Sequence, residues 1–271
     1  DSGDGMQLTG NRFTHDTANA GNDFSTLPNY PAEIRAPAGT VAGVSSFQLH
    51  FADFDIRTPG DRPDVLVAMN PAALKANLGD LAANGLIIAD TADFTPRNLA
   101  KVGYTADPLT DGSLAGYQVV ALDLSGQATA AVAELGLGRK DAARTKNMYA
   151  LGLLDWLYSR PMEGTISFLE RRFAKVPQIR DANIAAFKAG YAFGETTEVF
   201  ANRFAVAPAP VPAGVYRQIS GNRALAFGLI AASTKSGLPL FLGSYPITPA
   251  SDILHELSKN HRFGIMTFQA E

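Results

Sequence analysis

Asp64-Val-Leu-Val-Ala-Met-Asn70 runs directly into Pro71-Ala-Ala-Leu-Lys-Ala-Asn-Leu78, and the reading of this junction decides the fold. The apolar run Val65 to Met69 has the length of a buried strand. Proline at a first helical position gives up an N–H that would have no partner anyway, and Asn70 before it can accept from the first turn. The stretch therefore reads as strand, turn and helix. Leu86-Ile-Ile-Ala-Asp90 reads as the next buried strand, and Tyr117-Gln-Val-Val-Ala-Leu122 with the Ala-rich helix Gln127 to Leu135 repeats the pattern. Strands alternating with helices predict an α/β fold whose parallel sheet is covered on both faces.

Outward from this centre, the strand signal stops at Arg139. Apolar residues then recur at helical spacing to about Gly190, through Met148, Leu151, Leu154, Trp156 and Leu157, then Ile166, Leu169 and Phe173. Ala205-Val-Ala-Pro-Ala-Pro-Val-Pro-Ala-Gly214 carries prolines at alternate positions, so it is expected to run extended and to join two bodies without entering either core. Beyond it, Ser220 or Asn222 can cap a helix that runs through Ala232 and ends at Gly237. Leu238–Leu242 reads as a strand, Ser251–Lys259 as a helix and Phe263–Phe268 as a strand. The expected organisation is a first domain over residues 1–204, a linker over 205–216, and a second, short α/β unit over 217–271.

The 271 residues are 46% hydrophobic, with 23 Lys plus Arg against 26 Asp plus Glu, and no stretch gathers basic residues. Nucleic acid and anionic membrane are therefore not expected partners. No apolar run approaches the roughly 20 residues that span a bilayer, and the cytoplasm is the expected compartment. The absence of cysteine rules out disulfides, thiolate nucleophiles and cysteine-held iron–sulfur clusters within this sequence.

Several constellations could carry chemistry. Asp1-Ser-Gly-Asp-Gly-Met6, leading into an apparent helix at Leu8 and Thr9, is a glycine turn whose N–H groups can meet a phosphate, or an ordinary tight turn. Leu27-Pro-Asn-Tyr-Pro-Ala-Glu-Ile-Arg-Ala-Pro-Ala-Gly39 is expected to be stiff and irregular. Its Arg35 can clamp a phosphate or carboxylate, or pair with Glu33. His255 and His261 lack the spacing of a zinc helix, because Lys259 stands where the second histidine would have to be. In Gly243-Ser-Tyr-Pro-Ile-Thr-Pro-Ala-Ser251 a strand ends at a proline-stiffened turn. Thr248 there precedes a helix start that favours an anion, or serves only as its N-cap. Phe268-Gln-Ala-Glu271 puts a carboxylate after a strand, a position that is usually solvated.

Taken in order, Gly221-Asn222, Tyr245-Pro-Ile-Thr-Pro249 and Gln269-Ala-Glu271 resemble the opening of the pyrimidine-binding domain of 2-oxoacid:ferredoxin oxidoreductase α subunits. The Gly3-Asp4-Gly5 loop, Tyr30-Pro-Ala-Glu-Ile-Arg35, Asp64–Asn70 and Lys146-Asn-Met-Tyr-Ala-Leu-Gly152 are similar to that family's γ-type domain, fused upstream as in two-subunit enzymes of the 2-oxoglutarate synthase class.

The resemblance implies oxidative decarboxylation of a 2-oxoacid, 2-oxoglutarate foremost, to its acyl-CoA, with electrons passed to ferredoxin. It assigns Thr248 to the substrate carboxylate with Tyr245 beside it, and Glu271 to the aminopyrimidine ring of thiamine diphosphate. It also associates Gly3, Gly5 and Arg35 with coenzyme A. The diphosphate, its Mg2+ and a 4Fe–4S cluster are implied to lie on a β subunit, in an αβ or α2β2 assembly. It further implies that the sequence is a segment of a longer polypeptide, since the strand before the glycine loop and the rest of the pyrimidine domain are not in it. The alternatives are a nucleotide-dependent dehydrogenase at the Gly3–Gly5 loop, or a nucleotide- or CoA-binding module without thiamine chemistry.

Overall fold

A computed structural model describes residues 5–29 and 44–270. Gly3, the Tyr30–Arg35 stretch and Glu271 lie outside the described residues. The chain divides into two compact units, Asp1–Val211 and Pro212–Glu271.

Helix α1 (Met6–Asn19) opens at Gly5. Strands β1 (Asp23–Asn29) and β2 (Ser46–Ala52) form an antiparallel ribbon, with Asp23 opposite Ala52 and Asn29 opposite Ser46. The sequence reading placed Leu27-Pro28-Asn29 in an irregular segment; here they end β1. A two-stranded ribbon has free edges, where proline's missing N–H is tolerated.

The three-stranded parallel sheet follows as expected. It is built from β3 (Val65–Ala68), helix α2 (Pro71–Asn77), β4 (Leu86–Asp90), helix α3 (Pro96–Lys101) and β5 (Gln118–Leu122), in the order β3-β4-β5. Asn70 caps α2 by accepting from the Ala73 N–H at 2.8 Å. Side chains alternate across the sheet, as a period of two requires. Val65, Val67, Ile88 and Leu122 join one hydrophobic cluster, while Leu66, Ala68, Ile87 and Ala89 join the other.

Helix α4 (Leu124–Ala131) begins three residues before the expected Gln127, because Asp123 accepts from the Gly126 N–H at 2.7 Å and caps it there. It gives way to a 3-10 turn at Ala133–Leu135, and Gly136 in the left-handed region (φ 65°) ends that turn. Helices α5 (Arg139–Ala143), α6 (Lys146–Leu157), α7 (Glu163–Arg172) and α8 (Pro177–Thr196) complete the first unit. The backbones of α6 and α8 nearly touch. A Cβ at Gly152 would stand 1.9 Å from the Phe187 carbonyl oxygen, and one at Gly190 would stand 1.9 Å from that of Tyr149.

The division between units falls inside the proline-rich stretch, yet the first half of that stretch is not detached as the sequence suggested. Asn22 donates to the Ala207 carbonyl at 2.6 Å, the Ala209 N–H donates to Gly21 at 2.8 Å, and Ala209 is buried. Prolines remove donors but leave carbonyls to accept, so the segment can still be fastened.

The second unit comprises helix α9 (Gly221–Ser236), β6 (Phe241–Ser244), helix α10 (Ser251–Ser258) and β7 (Met266–Gln269). Ser220 caps α9 and Gly237 (φ 71°) ends it. Strand β6 starts later than the expected Leu238, because the chain must leave that left-handed cap and then pass Pro239. Strand β7 starts at Met266 rather than Phe263, because a 3-10 turn at His261–Phe263 comes first. The two strands are parallel, and their small core is Ala226, Ile230, Leu257 and Ile265. Among the described residues no helix is long and apolar enough to cross a membrane.

Candidate functional site

In the second unit the parallel register sets Ser244 beside Gln269, and the Ala270 N–H donates to the Ser244 carbonyl at 2.9 Å. The Tyr245–Pro249 turn and the residues entering Glu271 therefore leave the sheet side by side. They do so at the carboxyl ends of the strands, where ligands of open α/β sheets collect. Asn222, in the first turn of α9, donates to the Pro249 carbonyl at 3.0 Å, so the third sequence motif is tied to the same turn.

Thr248 and Tyr245 are exposed, and among the described residues the Thr248 side chain makes no hydrogen bond. Thr248 does not cap α10: the N-cap is Ala250, with no side-chain cap. The amides expected to meet an anion are occupied as well. Those of Ser251, Asp252 and Ile253 donate to the carbonyls of Ile247, Pro249 and Ala250 at 2.9, 3.1 and 3.1 Å. The tight turn folds its own carbonyls under the helix start, and the Thr248 hydroxyl stays exposed beside it.

In the first unit, Gly5 holds φ 88° and donates no side chain to α1; the Thr9 N–H caps back onto its carbonyl at 3.1 Å. A Cβ at Gly5 would lie 3.0 Å from the Asn147 amide nitrogen. Lys146 beside it pairs with Asp93 at 3.1 Å. Met6, Asn70, Lys146 and Asn147 share one cavity, so the glycine loop, the β3–α2 junction and the start of α6 converge at the carboxyl end of β3. Nothing in the sequence singles out Lys146; the fold brings it near Gly5 through its neighbour Asn147. Gly3 and Arg35 lie outside the described residues.

A second polar cluster was not foreseen. Arg12 and Asp16 pair within α1, Thr165 of α7 donates to Asp16 at 2.6 Å, and Arg160 donates to Asn22 at 2.6 Å. Asp155 of α6 is fully buried, and neither of its carboxyl oxygens has a hydrogen-bond partner among the described residues. Burial, with the nearby Asp16 charge adding to it, pushes the Asp155 carboxyl well above its ordinary range against the pull of Arg12 and Arg160. Burial likewise lowers Arg160. The cluster joins residues far apart in sequence, from α1, α6 and α7 and the segments beside them, so it leaves no local signal before folding.

A glycine loop at a parallel sheet, joined to a second parallel unit with a Tyr-Pro-Ile-Thr-Pro turn, defines a class. The chain belongs to the pyruvate ferredoxin/flavodoxin oxidoreductase family, whose profile matches residues 1–193. It is 58% identical over 271 residues to 2-oxoglutarate oxidoreductase subunit KorA of Mycobacterium tuberculosis, covering 100% of this chain and 42% of that protein. It is 28% identical over 135 residues, 50% of this chain and 20% of the relative, to subunit alpha of 2-oxoacid:ferredoxin oxidoreductase 1 of Aeropyrum pernix. The fold is similar to that of the 2-oxoglutarate:ferredoxin oxidoreductase of Magnetococcus marinus, solved with 2-oxoglutarate, coenzyme A and succinyl-CoA bound. That match has a TM-score of 0.72 at 26% identity, over 100% of this chain and 42% of the other.

Proposed function

We propose that this chain supplies the γ-type domain and the opening of the pyrimidine-binding domain to the α subunit of a 2-oxoacid:ferredoxin oxidoreductase. The reaction converts a 2-oxoacid, 2-oxoglutarate foremost, to its acyl-CoA and passes electrons to ferredoxin. The observation that carries the reading is the pairing of β6 with β7, which brings the Thr248 turn and the approach to Glu271 to one sheet end. Family membership and the identity to the M. tuberculosis subunit support it.

Thr248 donates its hydroxyl to the substrate carboxylate, with Tyr245 alongside. Glu271 holds a proton at a ring nitrogen of the cofactor pyrimidine. Thiamine diphosphate, when bound, would supply the nucleophilic and electron-sink chemistry that decarboxylation of a 2-oxoacid needs, with Glu271 and Thr248 as the residues facing it and the substrate. The Thr248 hydroxyl, the Asn222 amide and the Glu271 carboxyl are groups that suit the pyrimidine end of the cofactor. On the family resemblance, the diphosphate, Mg2+ and a 4Fe–4S cluster are assigned to a β subunit. Gly3, Gly5 and Arg35 are assigned to coenzyme A.

The test is Glu271→Gln in the assembled enzyme, which keeps size and removes the titratable proton. Viologen reduction driven by 2-oxoglutarate should be nearly abolished while thiamine diphosphate still binds by calorimetry. Full turnover in that variant would refute the role of Glu271, and no heat of thiamine diphosphate binding to the unaltered assembly would refute the whole reading.

A further inference from the structure

On the proposed function the favoured substrate, 2-oxoglutarate, carries a second carboxylate at the far end of its chain from the 2-oxo group. Taking that charge out of water is costly unless a cation or several donors meet it. Thr248 is neutral and serves the first carboxylate. The end of the second unit that carries Thr248 also carries Arg223, in the first turn of α9. Its chain neighbour Asn222 donates to the Pro249 carbonyl at 3.0 Å, so this first turn is fastened to the Thr248 turn. A cation there runs against the helix dipole, which favours an acid in the first turn. Helix α10 follows that rule with Asp252, whereas α9 has no acid in its first turn. A residue that breaks a local rule, at a sheet end where ligands collect, is a candidate for function.

The surroundings of Arg223 leave its charge available. Its Nε lies 3.4 Å from Glu256 Oε1, but Lys259 lies 3.7 Å from Glu256 Oε2. Two cations share one carboxylate, so one positive charge is in excess. The guanidinium sits over the Phe227 ring, 5.3 Å from its centroid, and the side chain is 55% exposed. Its terminal nitrogens make no hydrogen bond among the described residues. Helical side chains lean toward the start of their own helix. Both α9 and α10 start at the Thr248 end of the sheet, so Arg223 and Glu256 lean toward that end. We infer that Arg223 takes the distal carboxylate of the 2-oxoacid, and so makes the site prefer dicarboxylates to 2-oxoacids with an uncharged tail. Phe227 and Glu256 hold the planar fork and leave its outer donors for a carboxylate. The inference rests on the proposed function and names the feature of the substrate that its site selects.

Substrate preference in the assembled enzyme tests this. Viologen reduction is measured with 2-oxoglutarate and with 2-oxobutanoate, which has no second carboxylate, in the unaltered assembly and in Arg223→Met, which keeps the stem and removes the charge. The variant's kcat/KM for 2-oxoglutarate should fall roughly tenfold to a hundredfold, chiefly through KM, as loss of a bond between charged groups implies. For 2-oxobutanoate it should hold within about twofold or rise, since no charged tail is there to lose its partner. Arg223→Lys, which restores the charge without the fork, should recover part of the loss for 2-oxoglutarate alone. An equal fall for both acids would overturn the inference, because it would mean that Arg223 only holds α9 against α10. Unchanged constants for 2-oxoglutarate would overturn it as well, while leaving the proposed function standing. An unaltered assembly that oxidises neither acid would instead overturn the proposed function, and this inference with it.

Discussion

The Asn222 side-chain amide donates to the Pro249 carbonyl at 3.0 Å, so the first turn of α9 holds the turn that carries Thr248. These residues are 27 positions apart, and nothing in their types announces the contact. On the proposed function, Asn222 is a positioning residue that fixes the backbone from which Thr248 projects.

Replacing Asn222 by Leu should therefore raise KM for the 2-oxoacid rather than abolish turnover. A neutral hydrogen bond contributes about 0.5–1.5 kcal/mol, so the change in kcat/KM is roughly two- to tenfold. Asn222→Ser, which can still reach a carbonyl through water, should recover part of the loss. Identical steady-state constants in Asn222→Leu and the unaltered enzyme would show that the turn holds itself, through its bonds to Ser251, Asp252 and Ile253.

Thr248→Val removes the hydroxyl and keeps the shape. With the helix amides already bonded to the turn, that hydroxyl is the group assigned to the carboxylate, and its loss should cost about 1.5–3 kcal/mol. The corresponding fall in kcat/KM for 2-oxoglutarate is roughly tenfold to a hundredfold, with thiamine diphosphate affinity unchanged. Steady-state kinetics in the assembled enzyme decide it.

Gly190→Ala tests packing instead of chemistry. The added carbon would stand 1.9 Å from the Tyr149 carbonyl oxygen, a backbone atom that cannot rotate away, so α6 and α8 must separate. Overpacking of this kind costs about 1–3 kcal/mol or more, and thermal unfolding should shift down by several degrees. Gly228→Ala is the control: it lies inside α9 with nothing within 4 Å, and helix propensity makes it neutral or stabilising by up to about 1 kcal/mol. Equal melting temperatures for the two variants would be inconsistent with the close crossing.

The strand at Val65, the Asn70 cap, the helix at Pro71 and the parallel sense of the sheet were legible because they rest on local signals: apolar runs alternating with helices, a capping side chain, a proline. Family resemblance added the motif at Tyr245–Pro249. The β1–β2 ribbon was missed because Pro28 reads as a breaker until its partner Phe47 is known. The start of α4 was misplaced because the Asp123 cap outweighs the Ala-rich composition downstream. Contacts between distant segments, such as Asn22 with Ala207 or Gly5 beside Asn147, are set by tertiary packing and leave no local trace. Sequence shows which amides start a helix and not which carbonyls fold back to meet them, as those of Ile247, Pro249 and Ala250 do at α10.

The buried carboxyl of Asp155 gives the first unit a pH dependence opposite to that of most acidic residues. Its side-chain oxygens lack hydrogen bonds among the described residues, and Asp16 lies near enough to raise its pKa further, while Arg12 and Arg160 offset only part of the effect. In the unfolded chain the same carboxyl titrates near its ordinary value of 3.8. The folded protein therefore binds this proton more tightly than the unfolded one, and folding is favoured by it in full below the unfolded pKa. As pH rises from about 4 toward the raised folded value, the unfolded state gains by ionising and the folded state does not, so stability falls across that window. Asp155→Asn keeps the shape without the ionisation, so its urea midpoint should lose this component of the slope and exceed that of the unaltered chain at the upper end. Asp16, held by Arg12 and Thr165, remains in both proteins. Urea titrations of both proteins between pH 4.5 and 8, read as a difference in midpoint, carry the test. A difference that stays constant with pH would mean that Asp155 is ionised in the folded state, held by Arg160 and Arg12.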